Sequence, residues 1–318
     1  MRGLWIQDRD VTYREDLPVP ESSTSGARPG RVRIDVTLAG ICATDLALQQ
    51  GYMNFRGVPG HEFTGIAREG KFGGRRVVGE INAACGVCAL CARGLGRHCP
   101  ERSVLGILRH SGAFAETLSL PEGNLHPIPE HVSDEEAVFT EPLAAALEIL
   151  EQLDIGAFET RLVIGDGRLG LLCAQALGLD GGEVDLVGRH PERGEALPLR
   201  IRHRGNPDRL ERYDLVVEAT GAPEVLPRAL AATRPRGTLV LKTTAAAAPN
   251  LDLSPLVVDE ITLLGSRCGP FDKALRVLAA QQVVVTPWIA ARHPLREGPA
   301  AFAKAAQKGV LKVLLDPS

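Results

Sequence analysis

Four of the seven cysteines fall within fifteen residues, as Cys85, Cys88, Cys91 and Cys99. Thiolates spaced C-x2-C-x2-C-x7-C can wrap one tetrahedral zinc ion and leave no open position, which is the structural type of site. Four unrelated thiols on a loop do not fall into ligand spacing. A nucleic-acid finger using the neighbouring Arg93, Arg97 and Arg102 lacks a recognition helix after the cluster. A second grouping, Gly165-x-Gly167-x-x-Gly170, follows the apolar run 162–164 and opens a helical pattern at Arg168 and Leu169. Glycines there allow a tight turn and bring a dinucleotide pyrophosphate close to a helix amino terminus.

NAD-preferring sites of this kind carry an acidic residue at the end of the next strand, about twenty residues on. Here that place reads Leu186-Val187-Gly188-Arg189-His190. Gly188 leaves no carboxylate to repel a 2'-phosphate and Arg189 can pair with one, so NADP is expected in preference to NAD. Cys42, Cys173 and Cys268 stand alone. An odd cysteine count without a secretory leader points to reduced thiols and a cytoplasmic location.

The elements that must position these groups follow from periodicity. In residues 31–38, Val32, Ile34, Val36 and Leu38 alternate with polar neighbours, as in a half-buried strand. Short runs at 75–81 and 114–120 continue a compact, mostly antiparallel β domain. Ser133 and Glu136 form a capping box that opens a helix, Glu141-Pro142 interrupts it, and a second helix is expected over 143–153. From residue 161 the runs 162–164, 184–187, 215–218, 239–241 and 261–264 read as buried parallel strands separated by helices, a doubly wound α/β unit. A helix over 271–280 and a last strand over 310–315 follow, so the two ends of the chain belong to one domain with the α/β unit inserted.

The 318 residues suffice for two such domains. Thirty-six basic residues against thirty-nine acidic ones, with aromatics at 4%, leave neither the charge nor the stacking surface for nucleic acid. No run reaches the roughly 20 apolar residues of a membrane span. A small molecule is the expected partner.

Taken in order, Gly40-Ile41-Cys42-Ala43-Thr44-Asp45, Gly60-His61-Glu62, the four-cysteine loop, Glu141-Pro142-Leu143-Ala144 and the glycine motif make the chain resemble the zinc-dependent medium-chain dehydrogenase/reductase family over nearly its whole length. The Glu-Pro-Leu-Ala element is most similar to the polyol, glucose and threonine dehydrogenase branches. The resemblance implies an α/β fold: a GroES-like β-rich catalytic domain over 1–146 and 285–318, and a Rossmann doubly wound parallel sheet over 147–284. It also implies two zinc ions per chain, the catalytic one in the cleft between the domains. Cys42 and His61 would be its ligands, with Glu62 the third ligand or an exchangeable neighbour. Glu141 would lie beside the metal, directly or through water, and Asp45 would orient the histidine.

The activity so implied is hydride transfer between NAD(P) and a secondary alcohol, polyol, sugar or amino-alcohol and its carbonyl partner. Thr44 would accept the alcohol proton. Many members finish that relay with a histidine five residues after the cysteine, where this chain has Ala47. Residues 51–56, with Tyr52, Asn54 and Phe55, are expected to form one wall of the substrate pocket. By the same resemblance Lys312 approaches the cofactor phosphates and the chain forms a homodimer or homotetramer, with 261–264 as a sheet edge. Lys242 and Arg267 read as solvated strand-end residues. The competing function is a non-catalytic dinucleotide-binding sensor or interaction protein on the same fold, against which Cys42, His61, Glu62 and Glu141 together argue.

Overall fold

The computed structural model describes residues 1–22, 30–198, 200–207, 209–243 and 251–317. The chain divides into two compact units, one made of 1–141, 278–280 and 285–318, the other of 142–277 and 281–284. Among the described residues no helix is long and apolar enough to cross a membrane.

The first unit is built on a seven-stranded sheet. Its central strand, Arg31–Gly40, buries Val32, Ile34, Val36 and Leu38 on one face. Antiparallel neighbours are Glu62–Ala67 and Thr117–Pro121, and Arg76–Gly79 and Leu125–Pro127 extend the sheet beyond Glu62–Ala67. On the other side Lys312–Asp316 pairs antiparallel with Arg31–Gly40, and Ile289–Pro294 runs parallel to it. The register sets Gly40 opposite both Glu62 and Leu314, so three segments distant in sequence meet at one point of the sheet.

The second unit carries a six-stranded, all-parallel sheet in the order Ile201–His203, Val184–Val187, Arg161–Ile164, Tyr213–Glu218, Thr233–Leu241, Thr262–Gly265. The order reverses between Arg161–Ile164 and Tyr213–Glu218, the switch point beside which such sheets bind ligands. Leu162, Ile164, Val187, Val216 and Leu239 share one core cluster. The strand Ile201–His203 was not expected, because it is short and two of its three residues are polar. The stretch expected as a buried strand at 261–264 is instead a largely exposed edge strand, Thr262–Gly265, with only Ile261 buried. A sheet edge has a neighbour on one side only, and apolar composition alone does not reveal that.

The capping box at Ser133 forms as expected, with the Glu136 N–H donated to the Ser133 hydroxyl. The following helix runs Thr140–Gln152, beginning earlier than residue 143. Pro142 lies in its first turn, where the missing N–H has no intrahelical acceptor to lose, so proline is tolerated there.

The strand Arg161–Ile164 and the helix Arg168–Leu177 pack through Gly170, where an added Cβ would lie 1.7 Å from the carbonyl oxygen of Gly165. Gly170→Ala is therefore expected to cost about 1–3 kcal/mol by overpacking, whereas Gly123→Ala, with no atom within 4 Å of the new carbon, should stay within about 0.5 kcal/mol. Urea unfolding of the two variants checks the difference.

Candidate metal centres and dinucleotide site

Cys42 stands at the amino-terminal cap of the helix Ala43–Gln49 with extended backbone (φ −102°, ψ 162°). Asp45, on the first turn and fully buried, accepts the Cys42 N–H at 2.8 Å through Oδ2 and the Gly60 N–H at 3.1 Å through Oδ1. The same Oδ1 lies 3.4 Å from His61 Nδ1. One carboxylate thus fixes the backbone of Cys42 and of Gly60 and faces one ring nitrogen of His61, leaving Nε2 as the nitrogen to present elsewhere.

The Cys42 thiol, a His61 nitrogen and a Glu62 oxygen lie within 4.8 Å of one another. Burial opposes charging the imidazole, yet Asp45 and Cys42 beside it outweigh that cost and hold its pKa well above the ordinary histidine value. The pocket therefore favours positive charge. Thiolate, imidazole and carboxylate are the donor types zinc takes, and the fourth position of a tetrahedron is left over, as in catalytic zinc sites. The residues fit the ion. Glu141, on the first turn of Thr140–Gln152 and half-buried, is not part of this cluster. Thr44 is half-buried on the same helical turn as Asp45.

Lys312 corrects an expectation. It opens the last strand fully buried, and its Nζ donates to Glu62 Oε2, also fully buried, while lying 5.0 Å from the centroid of the Phe139 ring. An ammonium committed to a carboxylate inside the protein is not offered to a cofactor phosphate. Gly40 makes room for the pair: a Cβ there would meet Glu62 Oε2 at 2.9 Å and Lys312 Nζ at 3.3 Å. Lys242, expected in solvent, is buried, and its Nζ donates to the carbonyls of Ala145 and Arg267 and to the Ser266 hydroxyl.

Cys85, Cys88, Cys91 and Cys99 form a second cluster within 4.8 Å. Their Sγ–Sγ distances include 3.5 Å for Cys88–Cys91, 3.8 Å for Cys88–Cys99 and 3.9 Å for Cys85–Cys91. A tetrahedron with zinc–sulfur bonds of about 2.3 Å spaces its sulfurs by about 3.8 Å, so four thiolates here fit zinc without rearrangement. Backbone N–H groups of Val87 and Cys88 draw the Cys85 thiol down to about 6, and burial pushes Cys91 up to about 11.

At the glycine motif Gly165 takes a left-handed turn (φ 115°) and Gly167 caps the helix Arg168–Leu177, with Arg168 and Leu169 on its first turn. Gly188 is buried at the end of Val184–Val187 and Arg189 is exposed. The strand itself ends without a carboxylate, but Asp166, from the glycine turn, brings one there: its Oδ2 accepts the His190 N–H at 2.5 Å. Sequence reasoning passed over Asp166 as an unspecified position of the motif. The available signal was its pairing with a glycine at 188.

Residues 28–130 match the alcohol dehydrogenase GroES-like domain. The chain is 29% identical over 310 residues to the 2-dehydro-3-deoxy-L-galactonate 5-dehydrogenase of Pseudoalteromonas atlantica, covering 90% of this chain and 91% of that one. Two solved structures, each 25% identical with a TM-score of 0.87 and 99% coverage of both chains, are similar throughout. One is a protein of Sinorhizobium meliloti 1021 assigned as a zinc-binding dehydrogenase and bound to NADP; the other is a short chain alcohol dehydrogenase of E. coli CFT073 complexed with NADH. Fold and sequence define a dehydrogenase pairing a GroES-like domain with a Rossmann domain. The chain carries the alcohol dehydrogenase GroES-like domain over 28–130 and is similar over nearly its whole length to zinc-binding and sugar-acid dehydrogenases.

The buried pair gives a direct test. Lys312→Met leaves Glu62 charged in a dry interior and is expected to lower unfolding free energy by about 3–5 kcal/mol, while adding Glu62→Gln should recover at least half of that loss. Denaturant unfolding of the wild type, both single variants and the double variant measures the coupling.

Proposed function

We propose that this chain is a zinc-dependent oxidoreductase that transfers hydride between NAD(P) and a secondary alcohol, polyol, sugar or amino-alcohol and its carbonyl partner. The observation that carries the reading is the convergence of Cys42, His61 and Glu62, with Asp45 behind the imidazole. Zinc, when bound by these residues, supplies a Lewis acid for the substrate oxygen, and zinc held by Cys85, Cys88, Cys91 and Cys99 supplies only rigidity.

The chain's own groups do the rest. Cys42 and His61 hold the metal, with Glu62 as third ligand or exchangeable neighbour; Glu141 lies outside that cluster and would act on the metal directly or through water. Asp45 keeps His61 in one orientation. The hydroxyl of Thr44 takes the proton released when the alcohol is oxidised. Ala47 has no group to receive it next, so the proton leaves by water. Gly165, Gly167 and Gly170, with the first helical turn at Arg168 and Leu169, bind the pyrophosphate. Gly188 and Arg189 favour NADP over NAD. The half-exposed Tyr52 and Met53, on a turn where Met53 and Asn54 adopt left-handed backbone, are suited to touch substrate.

We further propose that two copies of the chain associate through the edge strand Thr262–Gly265 and the adjoining helix Ser254–Val258. That helix exposes Val257 and Val258 at 79% and 78%, and Leu263 on the strand is exposed as well. Among the described residues no strand pairs with the outer edge of Thr262–Gly265, and apolar side chains beside such an edge suit a self-complementary contact.

Two measurements test these readings. A cofactor-reduction screen over polyols, aldoses, threonine and secondary alcohols, with metal analysis of the same preparation, should find turnover and two zinc ions per chain; one tightly held zinc and no turnover across the panel would make the chain a dinucleotide-binding sensor. Light scattering should give a dimer or tetramer that Val257→Asp with Val258→Asp reduces to monomer, and a monomeric wild type would end the association proposal.

A further inference from the structure

Asp166, the second residue of the glycine motif, has no part in the chemistry above, yet it is among the most heavily engaged carboxylates of the second unit. Its Oδ2 accepts the His190 N–H at 2.5 Å and lies 3.3 Å from His203 Nε2, and its Oδ1 is 3.7 Å from Arg193 Nη1. His203 Nδ1 accepts the Gly205 N–H at 3.1 Å, which assigns the ring proton to Nε2 and makes that atom a donor to Asp166. Arg193 also donates to the backbone carbonyl of Asp166 at 2.5 Å. One residue of the glycine turn therefore ties down the exits of two neighbouring strands.

The position it occupies is decisive. A Cβ on Gly188 would lie 2.1 Å from Asp166 Cγ and 2.3 Å from its Oδ2. The aspartate fills the volume in which a side chain on residue 188 would begin, so no strand-end carboxylate can be mounted at 188 while Asp166 remains. Its own oxygens are turned inward on His190, His203 and Arg193, and it is about nine-tenths buried. Arg193 is mostly buried beside it, and Arg189 is near enough for the two guanidinium charges to repel. Asp166 and Glu192 are carboxylates whose charge acts on Arg193, the first buried and the second exposed, and the exposed guanidinium of Arg189 adds positive charge that an incoming anion can meet.

We propose that Asp166 is a specificity-determining, positioning residue: by closing the strand end at Gly188 and tethering residues 188–193, it holds Arg189 and Arg193 for the 2'-phosphate of NADP(H). The inference rests on the NADP(H) reading of the preceding subsection.

The experiment titrates the zinc-loaded, full-length chain with NADPH and with NADH, following nicotinamide fluorescence. Asp166→Ala is expected to weaken NADPH at least tenfold and NADH less than threefold. Asp166→Asn keeps the shape and the acceptor for His190 and should bind NADPH within threefold of wild type. Gly188→Asp alone should lose affinity for both cofactors, and Asp166→Gly combined with Gly188→Asp should reverse the preference toward NADH. An unchanged NADPH-to-NADH ratio in Asp166→Ala removes the role of Asp166, whichever cofactor the wild type prefers. Selective weakening of NADH in Asp166→Asn also overturns it, since the carboxylate itself would then read the ribose hydroxyls. Wild-type preference for NADH, measured before any variant, removes the NADP(H) reading on its own.

Discussion

Glu62 and Lys312 are both fully buried and are 250 positions apart in the chain, and each is a counter-charge to the other in an interior that penalises an isolated ion. This pairing constrains the first unit. It requires Lys312–Asp316 to lie against Arg31–Gly40, it requires glycine at position 40 between them, and it sets one oxygen of Glu62 while the residue still approaches Cys42 and His61. The metal-binding potential of the site is thus inseparable from the pairing of the chain's two ends. The same logic applies to Asp45, whose burial is acceptable because two backbone N–H groups and His61 surround its carboxylate.

The two metal-binding clusters show why some chemistry is easy to read from residues and some is not. Cys85, Cys88, Cys91 and Cys99 lie on one loop, so their spacing alone defines a tetrahedron. Cys42 and His61 are nineteen positions apart and each, by itself, resembles an ordinary buried residue; only similarity to a family singled them out. The strand Arg31–Gly40 was legible because alternation with period two survives wherever one face is buried. Ile201–His203 was not, since a short strand carrying arginine and histidine has no apolar rhythm. Pro142 was read as a breaker because its effect depends on which turn of the helix holds it. The bonds of Lys312 and Asp166 were invisible for a deeper reason: each reaches a partner whose position is set by strand register or by the crossing of two loops, neither of which is encoded locally.

In the second unit, close packing and charge act together. Gly170 and Gly188 are both places where another backbone or side chain occupies the space of a Cβ, the Gly165 carbonyl in one case and the Asp166 carboxylate in the other. The first brings helix against strand. The second replaces a side chain on the strand with one donated from the neighbouring turn, so the character of the strand end is decided two segments away from where a motif search looks.

The insertion of one unit within the other has a consequence for biosynthesis. Glu62 leaves the ribosome long before Lys312: at 5–20 residues per second, 250 residues take on the order of tens of seconds. The doubly wound unit, being continuous apart from a few residues, can collapse during that interval, whereas the sheet around Glu62 lacks its ammonium partner until Lys312 has emerged. A nascent chain stalled short of Lys312 would keep that region open to proteases and chaperones, and metal loading at Cys42 and His61 would come late in the protein's maturation.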